Sequence, residues 1–221
     1  MSIEYIDVFS NNYTYIGKAD KKTAHKEGLW HRVFTCLIVD SQTKTVYFQK
    51  KHPHLYEFER PDYLDISVGG HYKAGEQIED GIRELYEETN ISNATFQDLV
   101  PLGIRQTSAT ISPNYLANEF QHIFLYDLKD NTDSLLKTND EVSAFVELSI
   151  DCTIDLFIKK ANRINGKLLY FRDGEYLCDA VDISIEDFVP AYLNGDKFLL
   201  RLLIAAKRYI YNQYENGLLF W

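Results

Sequence analysis

At 221 residues the chain is long enough for one domain, or for one domain with an appendage. Its 45% apolar and 14% aromatic content supports a sizeable core, and a formal net charge of −10 argues against a nucleic-acid or anionic-membrane surface. Cys36, Cys152 and Cys178 lie far apart with no CxxC spacing, which reads as reduced thiols in a cytoplasmic protein, not a disulfide framework or zinc knuckle. The opening MSIEYIDVFSNN carries no basic-then-apolar signal, and no apolar run approaches the roughly 18 residues of a membrane span.

Tyr5 to Phe9 reads as a first strand and residues 11–26 as a polar, turn-rich connector. Val33 to Val39 is an apolar run rich in β-branched residues, followed by a polar turn and TVYFQKK, so Val33 to Lys50 reads as a hairpin. His52 to Pro61 is a loop, and Leu64 to Val68 a short strand that delivers the chain into a glycine turn. Further on, Leu99 to Ser108 and Glu119 to Leu128 read as strands joined by a loop containing Pro113. Asp130 to Asp140 reads as a polar loop and Ala144 to Leu148 as a last core strand. From Ile150 onward helical patterns dominate: Ile150 to Lys160, Ile185 to Tyr192 opened by the capping-type Ser184 to Asp187, and Phe198 to Tyr214. The last is apolar through Leu199, Leu202, Leu203 and Ala206 and reads as a core-docking terminal helix; with the LLFW end it offers a contact for a homodimer. Strands and hairpins on both sides of a helix fit an α/β (α+β) mixed sheet flanked by helices.

The most informative stretch is Gly69 to Ile91, GGHYKAGEQIEDGIRELYEETNI, a glycine-rich turn leading into a short amphipathic helix. Ile78, Ile82, Leu85 and Thr89 recur at the spacing of one buried helical stripe. Glu84, Glu87 and Glu88 fall within an arc of about 100° on the other side, with Arg83 beside Glu87 at i,i+4. Like charges this close need either open water or a cation. One reading is a solvated acidic face; the other is a site for Mg²⁺ or Mn²⁺, hard ions that take carboxylate oxygens and clamp phosphate. Gly69, Gly70 and Gly75 allow close approach of backbone to a ligand, and a helix N-terminus favours an anion.

These residues resemble the Nudix box, in which Gly, five residues, Glu, seven residues and Arg-Glu-x-x-Glu-Glu-x-Gly bind metal and diphosphate. Gly70, Glu76, Arg83, Glu84, Glu87 and Glu88 supply its marked positions. Six residues, not seven, separate Glu76 from Arg83, and Asn90 replaces the closing Gly, Asn being the best non-Gly occupant of a left-handed helix cap. The resemblance implies a Nudix domain over residues 1–150, with residues 151–221 a C-terminal helical extension packed on it. It implies that Glu84, Glu87 and Glu88 hold Mg²⁺ or Mn²⁺, that Arg83 braces Glu87, and that Gly69, Gly70 and Glu76 serve the diphosphate or its loop. The general base is a box glutamate (Glu87 or Glu88) or one from a later segment, with Glu141 and then Glu119 as candidates. The implied substrate is a small organic diphosphate, nucleoside-linked or similar, and Tyr56, Phe58, Tyr63 and Tyr115 are candidates for stacking on a base.

Residues 7–76 further resemble the branch of the superfamily that holds type 1 isopentenyl-diphosphate isomerase and nearby diphosphate hydrolases. That likeness implies a second metal site from His25, His31, His71 and Glu119; the alternative is that the histidines only hydrogen-bond around Trp30. The isomerase needs a cysteine just before its Gly-His, and here the chain reads Ser67-Val68-Gly69-Gly70-His71, so isomerisation is disfavoured. A non-catalytic Nudix sensor is the remaining alternative, set against the intact Arg83 to Glu88 run and the lack of a basic recognition helix.

Overall fold

The computed structural model describes residues 3–52, 54, 62–129, 135, 141–193 and 196–214. The organising strand is β3 (Trp30–Asp40), buried at every position after Trp30. A strand covered on both faces reads as a continuous apolar run instead of an alternation. It is antiparallel to β1 (Tyr5–Phe9), β4 (Thr45–Lys51) and β6 (Val68–His71), and parallel to β8 (Tyr115–Asp127). Around it an eleven-stranded mixed sheet takes in β2 (Tyr15–Asp20), β5 (Asp65–Ile66), β7 (Leu99–Ser112), β9 (Val142–Ser149), β10 (Arg163–Arg172) and β11 (Glu175–Ser184).

Alternate residues of β3 feed two cores. Phe34, Cys36 and Ile38 pack with Leu85 of α2 (Ile82–Glu88), whereas Leu37 and Val39 pack with Leu156 of α3 (Ile150–Phe157) and with Leu199, Leu202 and Leu203 of α5 (Phe198–Ile210), which follows the one-turn α4 (Pro190–Leu193). The sheet thus lies between α2 and the α3–α5 pair, the layered solution by which a two-faced sheet removes apolar surface from water. The apolar face of α5 is buried within the chain, which takes away its part in the expected homodimer contact; the LLFW end lies outside the described residues.

Four expectations are corrected. Residues 11–26 are not a connector: β2 and α1 (Lys21–Glu27) occupy them, with Asp20 Oδ1 accepting from the Thr23 amide at 3.0 Å and Gly28 closing the helix at φ 64°. The expected loop around Pro113 is a tight turn, since β7 and β8 run on until Ser112 meets Tyr115. Residues 151–221 are not helical throughout, because β10 and β11 form a hairpin that joins the sheet through β9. Asp173 (φ 55°) and Gly174 (φ 87°) make its turn, the Asp-Gly pairing whose two left-handed residues match the twist of a two-residue hairpin. Finally, Asn90 does not cap α2 in the left-handed region. Thr89 closes the helix in an extended conformation, donating its hydroxyl to the Leu85 carbonyl and accepting from the Ile91 amide. Among the described residues no helix is long and apolar enough to cross a membrane.

Candidate active site

A cavity of about 620 Å³ opens where β6, α2, β4 and the β7–β8 hairpin meet. Alternate residues of three strands line it: Val33 and Thr35 of β3, Ala117, Glu119 and Gln121 of β8, and Arg105 and Thr107 of β7. That period-2 pattern is what strands present to one face.

Gly69 and Gly70 are strand residues, paired with Thr35 and Phe34, and not part of the turn expected there. The turn lies further on, at Gly75 with φ 89°. Gly70 matters because it has no side chain: a Cβ there would sit 2.2 Å from the carboxyl carbon of Glu84. Glu84 occupies the space a side chain at position 70 would fill. Gly69 offers its amide not to an open anion site but to Glu88 Oε2, at 2.9 Å.

On α2, Glu84 and Glu88 are buried and Glu87 is half exposed. Burial pushes the Glu84 carboxyl up to about 7 and raises that of Glu88 as well. The dominant cause is loss of water around the charged form, opposed by Arg83 at Glu84 and by Lys51 at Glu88. Arg83 is the brace of the cluster. Its guanidinium reaches Glu76 Oε1 (2.9 Å), Glu84 Oε1 (2.9 Å) and Glu87 Oε2 (2.7 Å), and donates to the His71 carbonyl at 3.2 Å. The six-residue spacing to Glu76 therefore does not prevent the ion pair; a single 3₁₀ turn, Glu79–Gly81, runs directly into α2. Glu76 is absent from the cavity wall, its carboxylate being held by Arg83 and the Lys73 amide. The 3₁₀ turn that leads into α2 carries Glu79 and Asp80, which makes this approach a poor place for a phosphate.

Glu141 stands exposed at the cavity wall immediately before β9, and its carbonyl accepts from the His52 amide at 2.9 Å. The second expected constellation also comes together. The ligating nitrogens of His25, His31 and His71 lie within 4.8 Å of one another. His25 Nδ1 faces the Leu116 carbonyl at 3.2 Å and His31 Nδ1 the Leu29 carbonyl at 2.8 Å. A carbonyl only accepts, so both Nδ1 atoms carry the proton and both Nε2 atoms present lone pairs to the cluster. His25 Nε2 meets His71 Nε2 at 3.0 Å, while His31 Nε2 is buried with no hydrogen-bond partner. Burial drops His25 and His31 to about 4 and His71 well below its ordinary value. Glu119, next to His31 across the β3–β8 ladder, accepts from Gln121 Nε2 at 2.7 Å and is raised by burial.

Both clusters fit metal. Two buried carboxylates a turn apart, one lacking enough countercharge to stay ionised near neutrality, suit a hard cation. An orphaned imidazole nitrogen beside two more suits a metal that accepts nitrogen. Of the aromatic residues proposed to stack on a base, Tyr63 is core and Tyr115 lines the cavity with its ring against His25 at 4.0 Å; Tyr56 and Phe58 lie outside the described residues. Sequence reasoning missed Gln49, Lys51 and Tyr192. The first two carried a signal, a polar i,i+2 pair ending an apolar strand, whereas nothing marked Tyr192, which the chain after β11 brings to the cavity with its hydroxyl on Asp65 Oδ1 at 2.9 Å.

Ser67 is fully buried, its hydroxyl donating to the Tyr47 carbonyl and accepting from the Ile38 amide. Cys36 does lie opposite Val68 across the ladder, but in the core, where burial raises its thiol well above the usual range. Neither supplies an isomerase acid.

The NUDIX domain family model matches residues 29–167, from just before β3 into β10. Over 210 residues the chain is 33% identical to an uncharacterized Nudix hydrolase of Clostridium acetobutylicum, covering 92% of this chain and 98% of that protein. Over 91 residues it is 32% identical to an uncharacterized Nudix hydrolase of a Nostoc species, covering 40% and 52%. A crystal structure of a Deinococcus radiodurans protein covers 71% of this chain and 90% of its own, with a TM-score of 0.51 at 19% identity, a likeness of fold alone. The chain belongs to the Nudix family and is a hydrolase of the class that acts on diphosphate bonds of small molecules, generally with divalent metals.

Proposed function

We propose that the protein is a Mg²⁺- or Mn²⁺-dependent hydrolase of a small organic diphosphate, with nucleoside-linked diphosphates the first class to test. The carrying observation is the pair of buried carboxylates, Glu84 and Glu88, raised by burial and opening on a cavity large enough for such a ligand. Glu84, Glu87 and Glu88 hold the metal, which when bound neutralises non-bridging phosphate oxygens and acidifies water. Arg83 positions Glu84 and Glu87 without touching substrate. Glu141, exposed at the same cavity wall, takes the proton of the attacking water. The net charge of −10 sets nucleic acid aside as a partner.

His25, His31 and His71, with Glu119 beside them, form a second divalent site separate from the chemistry. The unpartnered His31 Nε2 favours this reading over a purely hydrogen-bonded cluster.

The test is phosphate or monophosphate release from a panel of nucleoside-linked, thiamine-type and isoprenoid diphosphates, with Mg²⁺, Mn²⁺ or chelator. Metal-dependent cleavage of one class is the expected result; cleavage undiminished by chelator would refute it.

A further inference from the structure

The last residues of β4 converge on one carboxylate. Gln49 Nε2 donates to Glu88 Oε2 at 3.1 Å, beside the Gly69 amide on the same oxygen. Lys51 Nζ stands 3.4 Å from Glu88 Oε1. Glu88 is 1% exposed. A group assigned as a metal ligand thus already has donors on both oxygens, and on Oε1 the donor is itself a cation.

The β4–β9 register shifts between Lys50 and Lys51, where Ser143 of β9 is passed over; β4 itself stays regular, so Gln49 and Lys51 fall on one face at the point where the strand reaches the cavity. Against its burial the Lys51 ammonium is held in the charged form by Glu88 and by the charges of Asp65 and Glu141, which line the same cavity. An uncompensated buried carboxylate is strongly disfavoured, and Lys51 offsets part of that penalty at Glu88. Arg83 could not serve both carboxylates, since its fork is fixed on Glu76, Glu84 and Glu87. Lysine suits a group that must move: a compact charge on a flexible stem.

We infer that Lys51 is an exchangeable counter-cation: it neutralises Glu88 in the metal-free chain, leaves Oε1 when a divalent ion arrives, and then contacts the substrate diphosphate. This rests on the reading of Glu88 as a metal ligand. Two cations on one carboxylate oxygen repel strongly in a poorly solvated site, so the exchange is obligatory. Gln49 stays behind to hold Oε2. Its amide orientation is fixed because a carboxylate cannot donate, and its carbonyl oxygen is left buried without a partner, able to accept from a water or from the departing ammonium.

The test uses the full chain without substrate. Mn²⁺ affinity is measured by electron paramagnetic resonance of free Mn²⁺ for the wild type, Lys51→Met, Lys51→Gln and Glu88→Gln, and inorganic pyrophosphate affinity is measured at saturating Mn²⁺. Removing the competing cation is expected to tighten Mn²⁺ binding about 5- to 10-fold while weakening pyrophosphate about 10-fold, opposite signs that loss of fold does not give. Lys51→Gln serves should Lys51→Met fail to fold. Unchanged or weaker Mn²⁺ binding in the lysine variants, or unchanged pyrophosphate binding, overturns the exchange. If Glu88→Gln binds Mn²⁺ like the wild type, the metal-ligand reading beneath it fails instead.

Discussion

At the α2 side of the cavity burial lifts Glu84 to about 7 and raises Glu88; in the histidine cluster, which meets the same cavity through His71, burial drops His25 and His31 to about 4. The cause is the same in both places, loss of water around a charge, and the outcomes differ because the groups differ. A buried carboxylate keeps its charge only with a cation beside it, and here Arg83 and Lys51 stand in attendance. A buried imidazole escapes by becoming neutral, and its lone pairs are then free for a metal with no counter-charge. The glutamate end is built around cations whether or not a metal is present. The histidine end is built to be neutral.

The sharpest way to break this comparison is to neutralise each end in turn. Glu88→Gln and Glu84→Gln are expected to lower kcat/KM about a thousandfold or more, roughly 4 kcal/mol of barrier. His31→Gln should lower it less than about tenfold, because that site lies outside the reaction as proposed. Equal losses would merge the two ends into one centre.

Next in size is Gly70→Ala. Its Cβ would overlap the Glu84 carboxyl at 2.2 Å, so Glu84 must leave and activity should fall about a hundredfold. Gly69→Ala, whose Cβ meets only the Phe34 carbonyl at 3.7 Å, is the control and should lose much less.

Smaller effects carry the opposite signs that the comparison demands. Glu84 titrates near 7 when folded against 4.5 as its ordinary value, so its contribution to stability is full at low pH and is lost as pH rises from about 4.5 through 7. In chelator, Glu84→Gln should therefore gain on the wild type over that range, by several degrees of Tm at pH 8, and Mn²⁺ should erase the gain. His25 and His31 titrate near 4 against 6.5, so their contribution is present above 6.5 and is lost as pH falls toward 4. His31→Gln should flatten the acid side of the Tm profile by a few degrees.

The glutamate end was legible because its information is local. The Arg83 to Glu88 run and the stripe through Leu85 sit on one helical turn and a half, and Leu85 is fully buried as the spacing required. The histidine end was legible only through a resemblance, since His25, His31 and His71 meet across α1, β3 and β6. Lys51 was marked only by the polar i,i+2 pair it makes with Gln49 at the end of an apolar strand, and Tyr192 by nothing local, since it reaches the cavity on a chain that returns after β11. The Asp173-Gly174 turn is a different failure. Its signal was present and was outweighed by the helical patterns on either side.

The most direct measurement of the central claim is an anomalous difference map at the manganese edge from crystals soaked in Mn²⁺ without substrate. A peak bounded by Glu84, Glu87 and Glu88 is expected, with Lys51 turned away from Glu88 Oε1. A peak only among His25, His31 and His71, with Lys51 still on Glu88, would contradict it.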